Sequence, residues 1–114
     1  MDYEGKMYRL ANETCLKKYY YKLTGPMLYV YRKKTDLTHK SALSLTKALI
    51  LKCHPEVEGH EDSKRIHALK VIQPSGKARV FYFLEEKERE AWRVKLLSAT
   101  GQRGEFFEIY DTCE

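Results

Sequence analysis

The residues best suited to chemistry in this sequence are cations set among tyrosines. Within residues 16–34, three consecutive tyrosines lie between two lysine clusters. Lysine and arginine bind anionic groups, and tyrosine rings stack on bases or donate hydrogen bonds from their hydroxyls. The stretch is therefore a stacking surface, part of a binding cleft, or a strand with two different faces.

The positive charge of the chain lies in the same region. Residues 1–50 carry ten Lys and Arg against four Asp and Glu, a net charge of +6, whereas residues 51–114 carry eleven against twelve, a net charge of −1. This asymmetry favours an anionic partner for the first half of the chain.

Motifs for metal binding and catalysis are absent from the sequence. Cys53, His54 and His60 lie near several acids, but their spacing matches no zinc pattern. No serine, cysteine or histidine lies in a recognisable nucleophile motif, and no glycine-rich loop precedes a helix. We therefore predict a protein that is not an enzyme and that has no metal site and no cofactor.

Short β-type runs separated by turn signals fill the chain up to Leu84. The predicted strands are residues 7–10, 16–24, 27–32, 42–45, 48–53, 66–72 and 78–84. After Leu84 the period changes, and Trp92, Leu96 and Ala99 form one apolar stripe, which is typical of an amphipathic helix. These elements predict a mainly β fold, a small seven-stranded antiparallel barrel or sandwich capped by one C-terminal α-helix.

Side chains alternate across a strand, so the second predicted strand has two faces. If Leu23 and Tyr21 point inward, Tyr19 and Lys17 share their side. The residues that then form an outer stripe are Lys18, Tyr20 and Lys22. On this interpretation the tyrosines are mostly part of the barrel wall.

The length of 114 residues fits a single domain. We assign residues 1–101 to this domain. Residues 102–114 form a tail that docks on the domain, forms a further helical turn or leads into a further region. Three scattered cysteines and a start without the pattern of a signal peptide favour reduced thiols and a cytoplasmic location.

The order of the elements, with one tryptophan in the closing helix, resembles the pleckstrin-homology (PH) domain over about residues 4–101. Residues 5–9 are similar to the family's opening Gly-x-Leu-x-Lys strand, and residues 17–23 to its Lys-x-Arg-Trp-Phe-x-Leu strand. Residues 28–32 are similar to its Leu-x-Tyr-Tyr-Lys strand. Glu90, Ala91 and Trp92, followed by Leu96, are similar to the closing helix.

The resemblance implies that an anionic head group binds where basic residues late in the first strand and early in the second meet its phosphates. The loop after the third strand is predicted to border the same mouth. The site residues predicted on these grounds are Arg9, Lys17, Tyr31, Arg32, Lys33 and Lys34. Tyr19 stands where the family has an arginine, which predicts binding by electrostatic attraction more than by bidentate phosphate recognition.

The leading functional prediction is a PH-like module that binds anionic membrane lipid, a phosphoinositide or another acidic phospholipid, through its basic mouth. It would localise a signalling or adaptor protein by reversible association of a cytoplasmic chain with the membrane surface. The alternative is a protein-interaction module that takes a peptide between a strand edge and the helix. An oligonucleotide-binding barrel is a third interpretation, but the tryptophan helix caps the barrel, so no nucleic-acid partner is expected.

Overall fold

Eight strands and one helix make up the part of the chain that the computed structural model describes, namely residues 2–12, 15–53 and 66–101 and the backbone of residues 110–111. In chain order the elements are β1 (Asp2–Asn12), β2 (Cys15–Thr24), β3 (Met27–Tyr31), β4 (Ser41–Ser44), β5 (Leu49–Cys53), β6 (His67–Ile72), β7 (Ala78–Phe83), α1 (Glu86–Ala99) and β8 (Tyr110–Asp111).

The strands form one sheet in the order β4-β3-β2-β1-β7-β6-β5-β8. Neighbours from β4 through to β5 pair antiparallel, and the two-residue β8 pairs with β5 in parallel. The helix α1 contacts β5, β6 and β7. The predicted fold class, seven antiparallel strands with one C-terminal helix, is confirmed.

β1 is longer than the predicted strand of residues 7–10. Its polar first half also pairs with β2, from Asp2 opposite Thr24 to Lys6 opposite Tyr20. An antiparallel strand with one face in solvent needs apolar residues only on its other face. The first half of β1 therefore carries too few apolar residues to be recognised from its pattern alone.

Trp92 joins the helix to the sheet. Its side chain is 3% exposed and packs edge-on against Tyr3, with ring centroids 4.8 Å apart, and against Tyr21 at 6.5 Å. Tyr21 in turn packs edge-on against Phe81 of β7 at 5.4 Å. Edge-to-face aromatic pairs add to the stabilisation from burial. One aromatic cluster thus connects α1, β1, β2 and β7.

Glu90 connects α1 to β5 through ion pairs. Its carboxylate lies 3.1 Å from the Lys52 Nζ and 3.1 Å from an Arg93 nitrogen, and Lys52 is only 4% exposed. A buried cation needs such a partner, because leaving the charge unpaired is costly. Partial burial raises the pKa of Glu90, but hydrogen bonds from Lys52 and Arg93 outweigh that effect and hold it below the usual value of 4.5.

The prediction of reduced thiols is wrong for one cysteine. Cys53, fully buried at the end of β5, is disulfide-bonded, whereas Cys15 is a free and exposed thiol. Three cysteines leave at least one without a partner in the same chain but permit one bridge, and the count alone does not show whether that bridge forms. The backbone of Tyr110 and Asp111 pairs with Lys52 and Cys53, so this part of the tail lies beside β5.

The sequence analysis also made predictions for the loop with His54 and His60 and for the tail. The loop's two histidines and most of the tail lie outside the described residues. Within residues 2–12, 15–53 and 66–101, no three side chains that commonly bind metals converge on one point. No helix in the described part of the chain is long and apolar enough to cross a membrane.

Replacing Trp92 with Ala is expected to lower the free energy of unfolding by ~3–5 kcal/mol, because a large buried side chain leaves a cavity at the contact between helix and sheet. Denaturant unfolding followed by circular dichroism measures this change. Val94→Ala is the control on the same helix, since Val94 is 49% exposed and a surface change of this kind alters stability by about 0.5 kcal/mol or less. Equal losses in the two variants would contradict the role given to Trp92.

The Glu90 ion pairs predict a stability difference that depends on pH. Because the folded-state pKa of Glu90 is lowered, the stabilisation from its carboxylate is complete above the unfolded-state value of about 4.5 and is lost as the pH falls through the folded-state pKa. The difference in unfolding free energy between the wild type and Glu90→Gln should therefore be largest at about pH 6 and shrink below about pH 4.5. A difference that stays constant over this range would contradict the assignment.

Candidate anion-binding site

The alternation of side chains across β2 separates its lysines and tyrosines into two faces. Tyr19, Tyr21 and Leu23 are buried, whereas Lys18 is exposed and Tyr20 and Lys22 are partly exposed. Lys17 shares the inner face with Tyr19 but lies at the rim, where it remains exposed. The tyrosines are therefore part of the sheet rather than one continuous stacking surface.

Three cations converge on the ring of Tyr19 at the inner rim. The Arg9 guanidinium carbon lies 6.0 Å from the ring centroid, and the Nζ atoms of Lys17 and Lys40 lie 5.4 and 4.8 Å from it. Lys40 also donates a hydrogen bond of 3.4 Å to the Tyr19 hydroxyl. We call Arg9, Lys17, Tyr19 and Lys40 the inner cluster.

Backbone pairing holds the members of the inner cluster together. Arg9 of β1 and Lys17 of β2 are direct cross-strand partners. Lys40 is placed at the end of β3 because its backbone N–H donates to the Val30 carbonyl at 2.6 Å. The sequence prediction omitted Lys40, although its position just before β4 in a basic loop was the available signal.

In the part of the chain that the structure describes, no acid compensates the positive charge of the inner cluster. Among the described residues, no carboxylate lies within ion-pair distance of Arg9, Lys17 or Lys40. Directly opposed like charges destabilise an antiparallel pair. Burial raises the pKa of Tyr19, but hydrogen bonds and charges from Lys40 and Lys17 lower it below 10.0 overall. The electrostatic environment of this rim favours an anion.

A second group of cations lies on the opposite face of the same strands. Lys6, Lys18, Tyr20, Arg32 and Lys34, which we call the outer cluster, line a shallow depression of about 200 Å³ that also touches Tyr19. The Lys34 Nζ lies 5.9 Å from the centroid of the Tyr20 ring. The Tyr20 hydroxyl donates a hydrogen bond to Glu4, which raises its pKa to about 12.

The six residues predicted from the sequence are therefore divided between two faces. Arg9 and Lys17 belong to the inner cluster, and Arg32 and Lys34 belong to the outer cluster. Tyr31 pairs with Tyr20 across the strands, and the Lys22 Nζ lies 4.9 Å from the centroid of its ring, so Tyr31 lies on the outer face.

Lys33 belongs to neither cluster. It forms a tight turn with Asp36, in which the Lys33 backbone N–H donates to the Asp36 carboxylate at 3.2 Å, and the Asp36 N–H donates to the Lys33 carbonyl at 3.1 Å. The side chain of Lys33 is exposed to solvent.

The family of the chain is decided by a match to the family model described as "PH domain", which covers residues 1–101. The chain belongs to the PH domain family. The structure of this PH domain is similar to the crystal structure of the carboxyl-terminal PH domain of pleckstrin, with a TM-score of 0.67, 17% identity and coverage of 86% of this chain and 94% of that chain.

Two further PH domains of known structure are similar to this one. The PH domain of human oxysterol binding protein-related protein 11 has a TM-score of 0.65 and 21% identity, and the match covers 94% of this chain and 89% of that chain. The Slm1-PH domain has a TM-score of 0.65 and 20% identity, with 87% and 96% covered. No curated protein sequence matches the chain. PH domains are generally non-catalytic binding modules.

The contacts of Tyr19 and Tyr20 predict that these neighbouring tyrosines of the PH domain titrate in opposite directions. Tyr19 should ionise below 10.0 and Tyr20 near 12. Lys40→Gln removes a hydrogen bond and a charge and should raise the pKa of Tyr19. Carbon NMR of the tyrosine Cζ atoms between about pH 8 and 11 should show Tyr19 ionising while Tyr20 stays protonated. Lys47→Gln is the control, and an unchanged Tyr19 pKa in Lys40→Gln would contradict the geometry of the inner cluster.

Proposed function

We propose that this PH domain binds the anionic head group of a membrane phospholipid, a phosphoinositide or another acidic lipid, at the inner cluster. The observation that supports the proposal is the convergence of Arg9, Lys17 and Lys40 on Tyr19 with no described carboxylate in ion-pair distance. In this role the domain localises a signalling or adaptor protein by reversible attachment of a cytoplasmic chain to the membrane.

The mechanism is electrostatic capture followed by charge-assisted hydrogen bonds. Each Lys or Arg near an anionic membrane surface contributes ~1 kcal/mol. The three cations of the inner cluster together supply about 3 kcal/mol, so attachment through this cluster alone is weak and reversible. Arg32, Lys33 and Lys34 add to the positive potential at the same end of the domain.

Tyr19 makes the expected binding less stereospecific. Three cations already lie against its ring, and its hydroxyl already accepts a hydrogen bond from Lys40. An arginine in this position would present a planar fork to a phosphate, whereas lysines act more like point charges. We therefore expect acidic lipids of several kinds to bind, with preference set mainly by head-group charge.

One of the similar structures supports a phosphate-bearing ligand. The Slm1-PH domain is described in complex with phosphoserine, at 20% identity and a TM-score of 0.65 to this chain. A domain of this fold can therefore hold a phosphate group. The position of that ligand is not transferred to this chain.

Sedimentation with vesicles tests the proposal. At ~0.1 M salt, where surface charges are partly screened, the protein should pellet with vesicles that contain phosphatidylserine or a single phosphoinositide and stay soluble with phosphatidylcholine alone. Arg9→Gln with Lys17→Gln should weaken binding by about 30-fold, from ~1 kcal/mol for each cation removed.

The matched control is Lys47→Glu, which changes the net charge by the same amount at the opposite end of the domain, in the turn between β4 and β5. It should bind vesicles nearly as well as the wild type. If the wild type fails to pellet with every anionic composition, the lipid proposal is wrong and a protein partner becomes the leading candidate. If the control weakens binding as much as the double variant, the inner cluster is not the site.

A further inference from the structure

Four aromatic rings lie on the outer face of β2 and β3, where the proposed function does not use them. Tyr20 of β2 is the direct cross-strand partner of Tyr31 of β3, and Tyr29 lies two residues from Tyr31 on the same face. His39, from the connection to β4, lies beside both tyrosines of β3. We call these four residues the aromatic patch.

The rings are close enough to act as one surface. The centroid of the His39 ring lies 5.0 Å from that of Tyr29 and 6.2 Å from that of Tyr31. Directly opposed residues of an antiparallel pair have Cβ atoms about 4.5–5.5 Å apart, which places Tyr20 beside Tyr31. The three tyrosines are half-buried and His39 is exposed. Each residue of the patch therefore keeps surface that a ligand can contact.

The core of the domain does not require the aromatic patch. Leu28 and Val30, which alternate with the tyrosines of β3, point inward and are buried. An antiparallel sheet with one face in solvent commonly carries polar side chains on that face. Aromatic rings gathered on the solvent side are therefore available for binding.

Five cations surround the aromatic patch, namely Lys22 and the four cations of the outer cluster. The Lys22 Nζ lies 4.9 Å from the centroid of the Tyr31 ring, and the Lys34 Nζ lies 5.9 Å from that of Tyr20. In the described part of the chain, no carboxylate lies within ion-pair distance of any of the five. Glu4 reaches the patch through its hydrogen bond with the Tyr20 hydroxyl. The rings thus lie in a field of positive charge.

Rings interleaved with cations match the two parts of a single-stranded nucleic acid. Bases stack on aromatic side chains through their flat π faces, while lysines and arginines follow the phosphates. A duplex hides its base faces, and the head group of an acidic phospholipid has none. Aromatic side chains on the exposed face of a four-stranded sheet stack two or three bases in one common class of RNA-binding domain. The rings therefore favour a nucleic acid over other anions.

We propose that the outer face of β2 and β3 binds single-stranded RNA, with two or three bases stacked on the aromatic patch and the phosphates paired with Lys22, Arg32 and Lys34. RNA is the single-stranded nucleic acid of the cytoplasm, where we predict this chain to reside. The inference goes beyond the proposed function and does not depend on it, because the inner cluster lies on the other face of β2. The helix that caps the barrel, on which the expectation of no nucleic-acid partner rests, packs on β5, β6 and β7 and does not cover this face.

The lysines that lie over the rings do not block the patch. Lys22 and Lys34 carry their charges on flexible stems. An exposed contact between a cation and a ring is weaker than the stacking of a base on that ring. A base that takes the ring face therefore displaces the ammonium group, which then meets the neighbouring phosphate.

Ring variants test the stacking. Tyr29→Leu with Tyr31→Leu removes two rings and no charge. It should weaken binding of a labelled oligouridine of about 12 nucleotides by about 25-fold or more, because each stacked base contributes a factor of roughly 5–150. Tyr29→Phe with Tyr31→Phe is the matched control, which keeps both ring faces and should bind within about twofold of the wild type. Fluorescence anisotropy at ~50 mM salt measures the affinities.

Charge variants test the phosphate contacts. Lys22→Gln with Lys34→Gln removes two charges and no ring. The slope of log affinity against log salt concentration should become shallower by about 1.4, because each neutralised phosphate of a single strand contributes about 0.7. Lys47→Glu, with the same change of net charge, should leave the slope nearly unchanged. The Leu double variant should lower the affinity with the wild-type slope, so stacking and attraction have separate signatures.

Three outcomes of these titrations would overturn the inference. The first is a Leu double variant that binds oligouridine like the Phe double variant, because the attraction is then electrostatic alone. The second is a wild type without measurable oligouridine binding at ~50 mM salt. The third is an equal loss of affinity for duplex RNA of the same length in the Leu double variant, because a duplex offers no base faces to the rings. Circular dichroism shows whether each variant is folded.

Tyrosine ring NMR of the wild type tests the placement without any variant. Ring currents of stacked bases move the ring protons upfield. Oligouridine should therefore shift the rings of Tyr20, Tyr29 and Tyr31 and leave those of Tyr19 and Tyr21, on the inner face, unchanged. Shifts confined to Tyr19 would place the RNA at the inner cluster and overturn the inference.

Vesicle sedimentation separates this inference from the lipid proposal. Tyr29→Leu should pellet with phosphatidylserine vesicles like the wild type. Arg9→Gln with Lys17→Gln should lose vesicle binding while the tyrosine shifts with oligouridine persist. If the wild type ignores every vesicle but passes the ring tests, the RNA inference stands and the lipid proposal fails. If the Leu double variant loses vesicle binding and the wild type does not bind oligouridine, the outer face serves the membrane and the RNA inference is wrong.

Discussion

The antiparallel register of β1 and β2 is the constraint on which both cationic clusters depend. It places Arg9 opposite Lys17 on the inner face and Lys6 opposite Tyr20 on the outer face. Because successive residues point to opposite sides, a slip of one residue would exchange the faces. The buried residues Met7, Tyr19 and Tyr21 keep this register, since a slip would expose them to solvent. The core of the domain and the charges at its surface are thus fixed by the same pairing.

Tyrosine has a different role in each cluster. Tyr19 is 8% exposed and forms a wall against which three cations lie, and two of these cations, with their hydrogen bonds, lower its pKa. Tyr20 is held by Glu4, and that hydrogen bond raises its pKa. Adjacent residues of the same type therefore meet opposite electrostatic environments, because the strand presents them to opposite faces. The composition of a segment does not reveal such a difference.

The fold could be predicted from the sequence because its signals are local. The turn at Gly25 and Pro26, the change of period after Leu84 and the stripe around Trp92 each depend on neighbouring residues. The site could be predicted only in part. Arg9 and Lys17 were identified through a resemblance, whereas Lys6 and Lys18 emerge only from cross-strand register. The resemblance groups Tyr31 with Arg9 and Lys17, but it does not relate the faces of β2 and β3 to each other. The position of Lys40 beside Tyr19 depends on the path of a loop.

The short strand β8 affects how the domain meets other copies of itself. Unpaired strand edges are templates for association between chains. Here the backbone of residues 110–111 occupies the outer side of β5 opposite Lys52 and Cys53. The other end of the sheet is β4, which is only four residues long. One edge is thus partly covered and the other is short, and both features should protect the domain from edge-to-edge aggregation.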